Sequence, residues 1–237
     1  MADKDLVSNS MATKSPRFYG RRKGRPLRQS MKRRLAEVLP ELIFDPSVSL
    51  DTQFGRSADC YLEIGFGGGE HLAGLAATMP GCDFIGAEPF VNGVASLLRH
   101  VEERQLGNIR IWPDDVRLIL PEIDIASLAG AFIMFPDPWP KRRHAGRRIL
   151  QPALLDQLAI IIRPGGKLVL ASDDSTAKSW LLQAAIAHFG FVWTARRPTD
   201  WRCRPVYLPE TRYMKKADRA ERKSSWFQFR RLEGKAK

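Results

Sequence analysis

From Ala58 onward, short apolar runs alternate with longer amphipathic stretches along the chain. The short runs are rich in β-branched and aromatic residues, which predicts strands at 60–66, 84–88, 109–112, 131–135, 167–172, 191–195 and 226–231. The longer stretches have a helical period, which predicts helices at 70–79, 90–104, 148–162 and 175–189. Strands and helices that alternate at this spacing are typical of a doubly wound parallel sheet, so we expect an α/β fold.

The first 34 residues lack this alternation and are polar, basic and interrupted by glycine and proline. We therefore predict a flexible N-terminal arm over residues 1–34 that becomes ordered on a partner, followed by one domain over 35–237. A total of 237 residues fits this division. A short helix is expected at about 31–39, ended by Pro40.

The net charge of +12 is unevenly distributed. Residues 14–34 hold ten Lys or Arg and no acid, whereas residues 35–140 hold sixteen acids and five basic residues. Residues 141–237 again carry an excess, with twenty-two basic and eight acidic residues. Two basic segments around an acidic core indicate a polyanionic partner, and nucleic acid is favoured over a membrane surface.

Composition also excludes several classes of protein. Three widely spaced cysteines without a CxxC pattern argue against a disulfide framework or a zinc ribbon. No run approaches the roughly 18 consecutive apolar residues of a membrane span, and the N-terminus lacks a signal pattern. The histidines at 71, 100, 144 and 188 are scattered, so we expect no metal and assign them no catalytic role. These features predict a cytoplasmic protein without a membrane or metal partner.

A glycine cluster follows the first predicted strand, and an acid ends the second. Gly65, Gly67 and Gly69 let the backbone adopt positive φ and approach a ligand closely. Glu88 stands where an acid commonly binds the ribose hydroxyls of a nucleoside. A simple tight turn would explain the glycines alone, but the combination favours a nucleoside-containing cofactor.

Two further acids, Glu70 and Glu63, indicate which nucleoside cofactor the site would bind. Glu70 occupies the position where a dinucleotide site prefers a small residue, and it would repel pyrophosphate. Glu63 precedes the glycines and suits a ligand with an ammonium group and no phosphate, which S-adenosylmethionine satisfies. After the third strand, Asp114 or Asp115 could bond an adenine amine, although an N-cap role is at least as plausible on spacing.

The segment after the fourth strand, FPDPWPKRRH at 135–144, combines an acid, an aromatic ring and cations. Prolines on either side fix the backbone around Asp137 and direct it away from the strand end. Trp139 offers a face on which a base can stack, and basic residues follow that could contact phosphates. A proline-rich loop with a solvated charge run is the alternative, but this set of groups is what modification of a nucleobase requires.

The motifs YLEIGFGGG, IGAE, PDD and especially MFPDPWPKRRHAGRRIL resemble the bacterial tRNA (guanine-N7)-methyltransferase family. The resemblance covers about residues 57–231. It implies a class I methyltransferase fold, a seven-stranded Rossmann-like sheet that is mostly parallel with an antiparallel C-terminal strand. It also implies transfer of methyl from S-adenosylmethionine to a guanosine in the tRNA variable loop, by a monomer or homodimer.

The same resemblance implies roles for particular residues. Glu63, Glu88, Asp114 and Asp137 match the family's cofactor-contacting acids, with Asp114 favoured over Asp115 by one alignment position. Asp137 also matches the proposed catalytic residue. The positions expected to contact substrate are Lys141, Arg142, Arg143, His144, Arg147, Arg148, Asp173, Thr211, Arg212 and Tyr213.

The C-terminal segment departs from the family pattern. The family carries Thr-Lys-Phe/Tyr-Glu here, whereas this chain has Thr211-Arg212-Tyr213-Met214, so the acid is lost. We expect weaker contacts to the guanine edge and additional phosphate binding from the basic residues that follow. An amino-methyltransferase, a non-catalytic RNA-binding subunit and an NAD oxidoreductase are the competing interpretations. The order Pro-Asp-Pro-Trp argues against the amino-methyltransferase. Intact Glu63, Glu88 and Asp137 argue against the non-catalytic subunit, and Glu70 argues against the oxidoreductase.

Overall fold

The computed structural model of the chain describes residues 18–233, except the side chains of Arg212, Tyr213 and Asp218. Within this range, strands with the order β3-β2-β1-β4-β5-β7-β6 form one seven-stranded sheet. The strands are β1 Asp59–Ile64, β2 Cys82–Ala87, β3 Ile109–Trp112, β4 Leu128–Met134, β5 Ile162–Ser172, β6 Phe191–Trp193 and β7 Ser225–Arg231. Strands β1 to β5 pair in parallel, and β7 runs antiparallel to both β5 and β6. The predicted α/β fold is confirmed, including the antiparallel C-terminal strand.

Helices cover both faces of the sheet. They are α1 Gln29–Glu37, α2 Leu39–Leu42, α3 Leu50–Phe54, α4 Glu70–Thr78, α5 Val91–Arg104, α6 Pro152–Ile161, α7 Ser175–Ala187, α8 Thr199–Arg202 and α9 Arg212–Arg219. Short 3-10 helices lie at Val116–Leu118, Leu120–Glu122 and Arg142–Arg147. Alternate residues of each central strand point to opposite faces, so the apolar strands supply two cores, one containing Leu62 and Ile133 and the other Phe84 and Phe132.

Two predicted helices are wrong at their ends. The helix expected at 148–162 begins only at Pro152, because Gln151 is held extended before a proline and Pro152 suits the first helical position. The helix expected at about 31–39 is two helices, α1 and α2, and Pro40 lies in the first turn of α2 instead of ending α1.

Residues 163–166, which the sequence pattern leaves between a predicted helix ending at 162 and a predicted strand beginning at 167, form a bulge inside β5. Leu128 of β4 pairs with Ile162 and Gly130 pairs with Lys167, so four residues of β5 loop out between consecutive pairings. Gly165 has a φ of 76°, which the bulge requires. The strand therefore begins earlier than the apolar pattern predicts.

The described part of the predicted arm contacts the domain. The backbone N–H of Val91 donates to the Arg22 carbonyl at 3.0 Å, and the Asn92 side chain bonds the backbone at Gly24 and Arg25. Further along, Arg33 and Arg34 both pair with Glu102 of α5. Residues 22–34 thus lie on α5 rather than apart from the fold. Residues 1–17 of the predicted arm lie outside the described range. The division of the chain at residue 34 stays a prediction.

No helix formed by residues 18–233 combines the length and the apolar composition that a membrane span needs. Over the same residues, no cluster of three or more His, Cys, Asp or Glu side chains could hold a metal ion.

Candidate active site

A cavity of about 710 Å³ opens at the carboxyl ends of the central strands. This is the edge of an open α/β sheet where ligands bind, and β1 and β4 lie side by side there with chain connections leaving in opposite directions. Many of the predicted site residues line the cavity: Glu63, Gly65, Gly67, Glu88, Asp115, Asp137, Arg147, Arg148 and Thr211. Gly69, Asp114, Lys141, Arg142, Arg143, His144 and Asp173 are not among the lining residues.

The glycine loop after β1 is held by Glu88. Its carboxylate accepts the backbone N–H of Gly67 at 2.8 Å and that of Phe90 at 2.9 Å. Gly65 and Gly67 have φ of 72° and 56°, so the loop uses left-handed conformations that glycine adopts without strain. Each carboxylate oxygen keeps a second lone pair, so Glu88 can hold the loop and still accept from a ligand hydroxyl.

Gly69 contributes to helix packing instead of to the cavity wall. Its φ is 76°, and a Cβ added to it would lie 2.6 Å from Cβ of Leu97 on α5. A second close contact joins the same loop and helix, since a Cβ on Gly93 of α5 would lie 2.2 Å from the Gly67 carbonyl oxygen. Glycine at these positions lets α5 approach the loop and fixes its path.

Glu63 is buried beside a histidine that the sequence did not single out. Nδ1 of His71 lies 2.8 Å from Oε2 of Glu63, and the two side chains are 5% and 2% exposed. The ring of Phe132 on β4 contacts the imidazole edge-on, with centroids 5.5 Å apart. Spacing alone would have placed His71 in the first turn of α4, one turn after the glycines, where an inward-facing side chain reaches the end of β1.

Asp137 is exposed on a loop that is otherwise tightly held. The N–H of Phe135 donates to the Ala171 carbonyl at 2.8 Å, and the indole N–H of Trp180 donates to the Pro138 carbonyl at 3.1 Å. Phe135 and Trp139 have φ of 52° and 40°, uncommon values for bulky residues. Backbone strain of this kind persists only where surroundings over-determine it, so Asp137 projects from a rigid frame.

Trp139 contacts the basic residues that follow it. The guanidinium of Arg147 lies 5.1 Å from the Trp139 ring centroid and 5.2 Å from that of Tyr19 in the arm. His144 contacts the Trp139 ring edge-on at 5.7 Å. Arg148 donates to the Trp139 carbonyl at 3.3 Å. Arm, proline loop and basic run therefore meet at one rim of the cavity.

The two neighbouring acids after β3 are both engaged by arginines. Asp114 forms a 2.7 Å ion pair with Arg22 of the arm. Asp115 is buried, pairs with the guanidinium of Arg117 and accepts the backbone N–H of Arg117 at 3.0 Å, and it thereby caps the 3-10 helix at Val116–Leu118. The N-cap alternative is thus confirmed for Asp115. It lines the cavity, whereas Asp114, which the resemblance favours, does not.

The remaining predicted substrate residues lie outside the cavity or at its edge. Lys141, Arg142 and Arg143 are exposed to solvent. Asp173 follows β5, and its Oδ2 lies 2.7 Å from Nε of Arg222. The positions of Arg212 and Tyr213 are on α9, but their side chains lie outside the described part of the chain.

The departure from the family pattern at Thr211–Met214 changes the lining of the cavity. Thr211 is buried, and its hydroxyl accepts the backbone N–H of Met214 at 3.3 Å, at the start of α9. Met214 is 4% exposed, lines the cavity and belongs to the same apolar core as Phe132. An apolar side chain therefore stands where the family pattern has a carboxylate.

Comparison with known proteins identifies relatives over most of the chain. The sequence model of the family described as "Putative methyltransferase" matches residues 57–226. The chain is 48% identical over 227 residues to the tRNA (guanine-N(7)-)-methyltransferase of Rhodospirillum rubrum, covering 92% of this chain and 89% of that protein. It is 43% identical over 226 residues to the protein of the same name from Paramagnetospirillum magneticum, covering 90% and 92%.

Solved structures with similar folds are also methyltransferases. The 16S rRNA methyltransferase KamB superimposes with a TM-score of 0.55 at 14% identity, covering 78% of this chain and 95% of that one. The antibiotic-resistance methyltransferase Kmr gives a TM-score of 0.53 at 18% identity, covering 78% and 92%. These likenesses concern the fold, and the sequence comparisons identify the family. This chain belongs to the tRNA (guanine-N7)-methyltransferase family of class I methyltransferases.

Proposed function

We propose that this protein transfers the methyl group of S-adenosylmethionine to N7 of a guanosine in the variable loop of tRNA. The observation that carries the proposal is the position of Asp137. Its exposed carboxylate lines the same cavity as Glu63 and Glu88, and Trp139 and Arg147 line that cavity beside it. A cavity with acids inside and an aromatic ring and cations at its rim suits a cationic cofactor and an RNA base together.

The residues of the cavity fit S-adenosylmethionine. Glu88 at the end of β2 can accept from the ribose hydroxyls, and Glu63 at the end of β1 offers a buried carboxylate to the ammonium group. The backbone of Gly65 and Gly67 allows close approach. When bound, the cofactor supplies an electrophilic methyl group on a sulfonium sulfur.

The chemistry of the acceptor determines what the protein must do. Guanine N7 carries a lone pair and no proton, so attack on the methyl group requires no general base. Positioning of the two reactants can therefore supply most of the rate enhancement. The purine becomes cationic during transfer, and the carboxylate of Asp137 stabilises that charge as it develops. Trp139 offers a face for stacking of the base.

Phosphate contacts are proposed for two basic segments, each of which contributes one arginine, Arg21 or Arg147, to the cavity lining. One comprises the exposed cations of the arm, Arg21, Lys23, Arg25 and Arg28, and the other the exposed Lys141, Arg142 and Arg143 with Arg147. The contact of Tyr19 with Arg147 joins the segments. Such contacts fix the position of an RNA without reading its sequence.

The proposal is tested by incubating the protein with unmodified bulk tRNA and S-adenosylmethionine that carries a tritiated methyl group. Digestion to nucleosides should yield all of the label as 7-methylguanosine. Label in a methyladenosine, or in guanosine methylated at another atom, would contradict it. Retained tRNA binding without any label would instead support the non-catalytic RNA-binding interpretation.

A prediction about pH follows from Glu88. Burial raises the pKa of its carboxyl above the ordinary value of 4.5, and the nearby charges of Asp137 and Glu63 raise it further, against the two backbone N–H donors. Only the ionised form accepts from both ribose hydroxyls. Affinity for the cofactor should therefore fall as the pH is lowered, beginning at a higher pH than an ordinary glutamate would give. Calorimetric titration across this range measures the effect.

The matched variant is Glu88→Gln, which is nearly isosteric but does not titrate. At neutral pH it should bind S-adenosylmethionine about 1.5–3 kcal/mol more weakly, the range for hydrogen bonds to a charged group. Its affinity should not change across the window in which the wild type weakens, and its affinity for tRNA should be unaltered. If the affinity of the wild type for S-adenosylmethionine stays constant down to the pKa of an ordinary glutamate, Glu88 does not bind the cofactor.

A further inference from the structure

The proposed function gives no role to His71, which pairs with Glu63 in the wall of the cavity. His71 is nine-tenths buried and lines the cavity, and its Nε2 has no hydrogen-bond partner among residues 18–233. Its Nδ1 lies 2.8 Å from the Glu63 carboxylate. Because a carboxylate can only accept, Nδ1 is the donor of this hydrogen bond, and Nε2 makes no bond that would hold the ring from its other side.

An unpaired buried nitrogen argues against a purely structural role. A buried polar atom without a partner destabilises a fold, because the hydrogen bond it made to water in the unfolded chain is not replaced. An apolar side chain such as leucine would pack against Phe132 without that penalty. The hydrogen bond from Nδ1 to Glu63 is therefore the contribution that distinguishes histidine from an apolar residue at this position.

The geometry holds the imidazole in one orientation. His71 lies in the first turn of α4, directly after the loop that contains Gly65 and Gly67. The edge-on contact with Phe132 fixes the ring plane. A fixed donor on one oxygen of Glu63 restricts rotation of the carboxylate, which otherwise has three torsions to order on ligand binding.

We propose that His71 is a positioning residue, which holds the Glu63 carboxylate in the orientation that binds the ammonium group of S-adenosylmethionine. This inference rests on the proposed function, since it concerns the cofactor of that reaction. A preorganised acceptor binds a cation more tightly than a mobile one, because less side-chain entropy is lost on binding. His71 thereby contributes to affinity for the amino-acid end of the cofactor without touching it.

The test measures binding by calorimetry with two ligands, S-adenosylhomocysteine and its analogue lacking the α-amino group. His71→Leu should bind S-adenosylhomocysteine about tenfold more weakly than the wild type, at the low end of the range for a hydrogen bond to a charged group. The wild type and His71→Leu should bind the deaminated analogue equally. Because His71→Leu also removes a hydrogen bond from the buried Glu63 carboxylate, its free energy of unfolding should fall, and the titrations are made at a temperature where the variant is folded.

A conservative variant and a matched control sharpen the experiment. His71→Asn places an amide N–H where Nδ1 stands and has no counterpart of Nε2, so it should recover most of the lost affinity. His100 is likewise buried, and its Nε2 has no partner within the described part of the chain, but it does not line the cavity. His100→Leu should leave the affinities for both ligands unchanged.

Three results would overturn the proposal. Equal weakening of both ligands in His71→Leu would show a structural role. If His71→Asn binds S-adenosylhomocysteine as weakly as His71→Leu does, the loss of affinity comes from Nε2 instead of Nδ1. Absence of any binding of S-adenosylhomocysteine by the wild type would contradict the proposed function itself, and so is distinguishable from the first two.

Discussion

Asp137→Asn should lower kcat for methyl transfer to tRNA by about 10²-fold or more, the scale of losing one preorganised electrostatic group. The amide is nearly isosteric with the carboxylate, and Asp137 is exposed, so the fold should be retained. The carboxylate acts on charge that develops during transfer, so kcat should fall more than the affinity for either substrate. Single-turnover rates at saturating cofactor and tRNA measure this directly.

Because the loop around Asp137 is rigidly held, the substitution tests the charge of the side chain rather than its position. Hydrogen bonds from Trp180 and Arg148 to the carbonyls of Pro138 and Trp139 hold the backbone on the C-terminal side of Asp137. Neither bond involves the substituted side chain. A loss of rate in the variant is therefore not expected to come from a displaced loop.

Asp124→Asn is the matched control, because Asp124 is also exposed but precedes β4 at its opposite end. It should leave kcat unchanged. If Asp137 serves only to bind the cofactor, its variant will show a raised KM for S-adenosylmethionine and a nearly normal rate at saturation. That outcome would remove the catalytic role.

Neutralising the arm should weaken tRNA binding by about 10²–10³-fold at moderate salt, if each of four cations contacts a phosphate. The variant carries Arg21→Ser, Lys23→Ser, Arg25→Ser and Arg28→Ser together. All four side chains are exposed, and α1 with its ion pairs to Glu102 remains intact. The slope of log K against log salt should become shallower by about 3 units, at roughly 0.7–0.9 per contact.

Affinity for S-adenosylmethionine should not change in this variant. Arg196→Ser with Arg197→Ser serves as the control, since these exposed arginines follow β6, at the other edge of the sheet from β3. The control should retain the wild-type slope. Equal slopes for the wild type and the arm variant would mean that the arm does not contact the RNA.

The fold was predictable where the local pattern and the tertiary contacts agree. The strand at Ile109–Trp112 lies where its apolar run predicts it. The start of β5 was missed because the bulge at 163–166 follows from pairing with β4, which no local signal reports. The amphipathic helix α9 was missed because its residues read as a basic surface segment, although Met214 and Ala217 are buried.

The site was predictable to a similar extent. Strand ends and glycines identify Glu63, Glu88 and Asp137, and all three line one cavity. His71 was passed over because a lone histidine carries no signal until the structure places it against Glu63. The engagement of Asp114 by Arg22 depends on a contact between segments about ninety residues apart, which sequence patterns do not encode.

The most direct test of the central claim uses a tRNA transcript in which the variable-loop guanine is replaced by 7-deazaguanine. This base has a C–H group in place of N7 and keeps the other hydrogen-bonding atoms of guanine. The modified transcript should bind with the affinity of the ordinary one and accept no methyl group, while the ordinary transcript is fully methylated. Methyl transfer to the deaza transcript at the ordinary rate would contradict N7 of that guanosine as the acceptor.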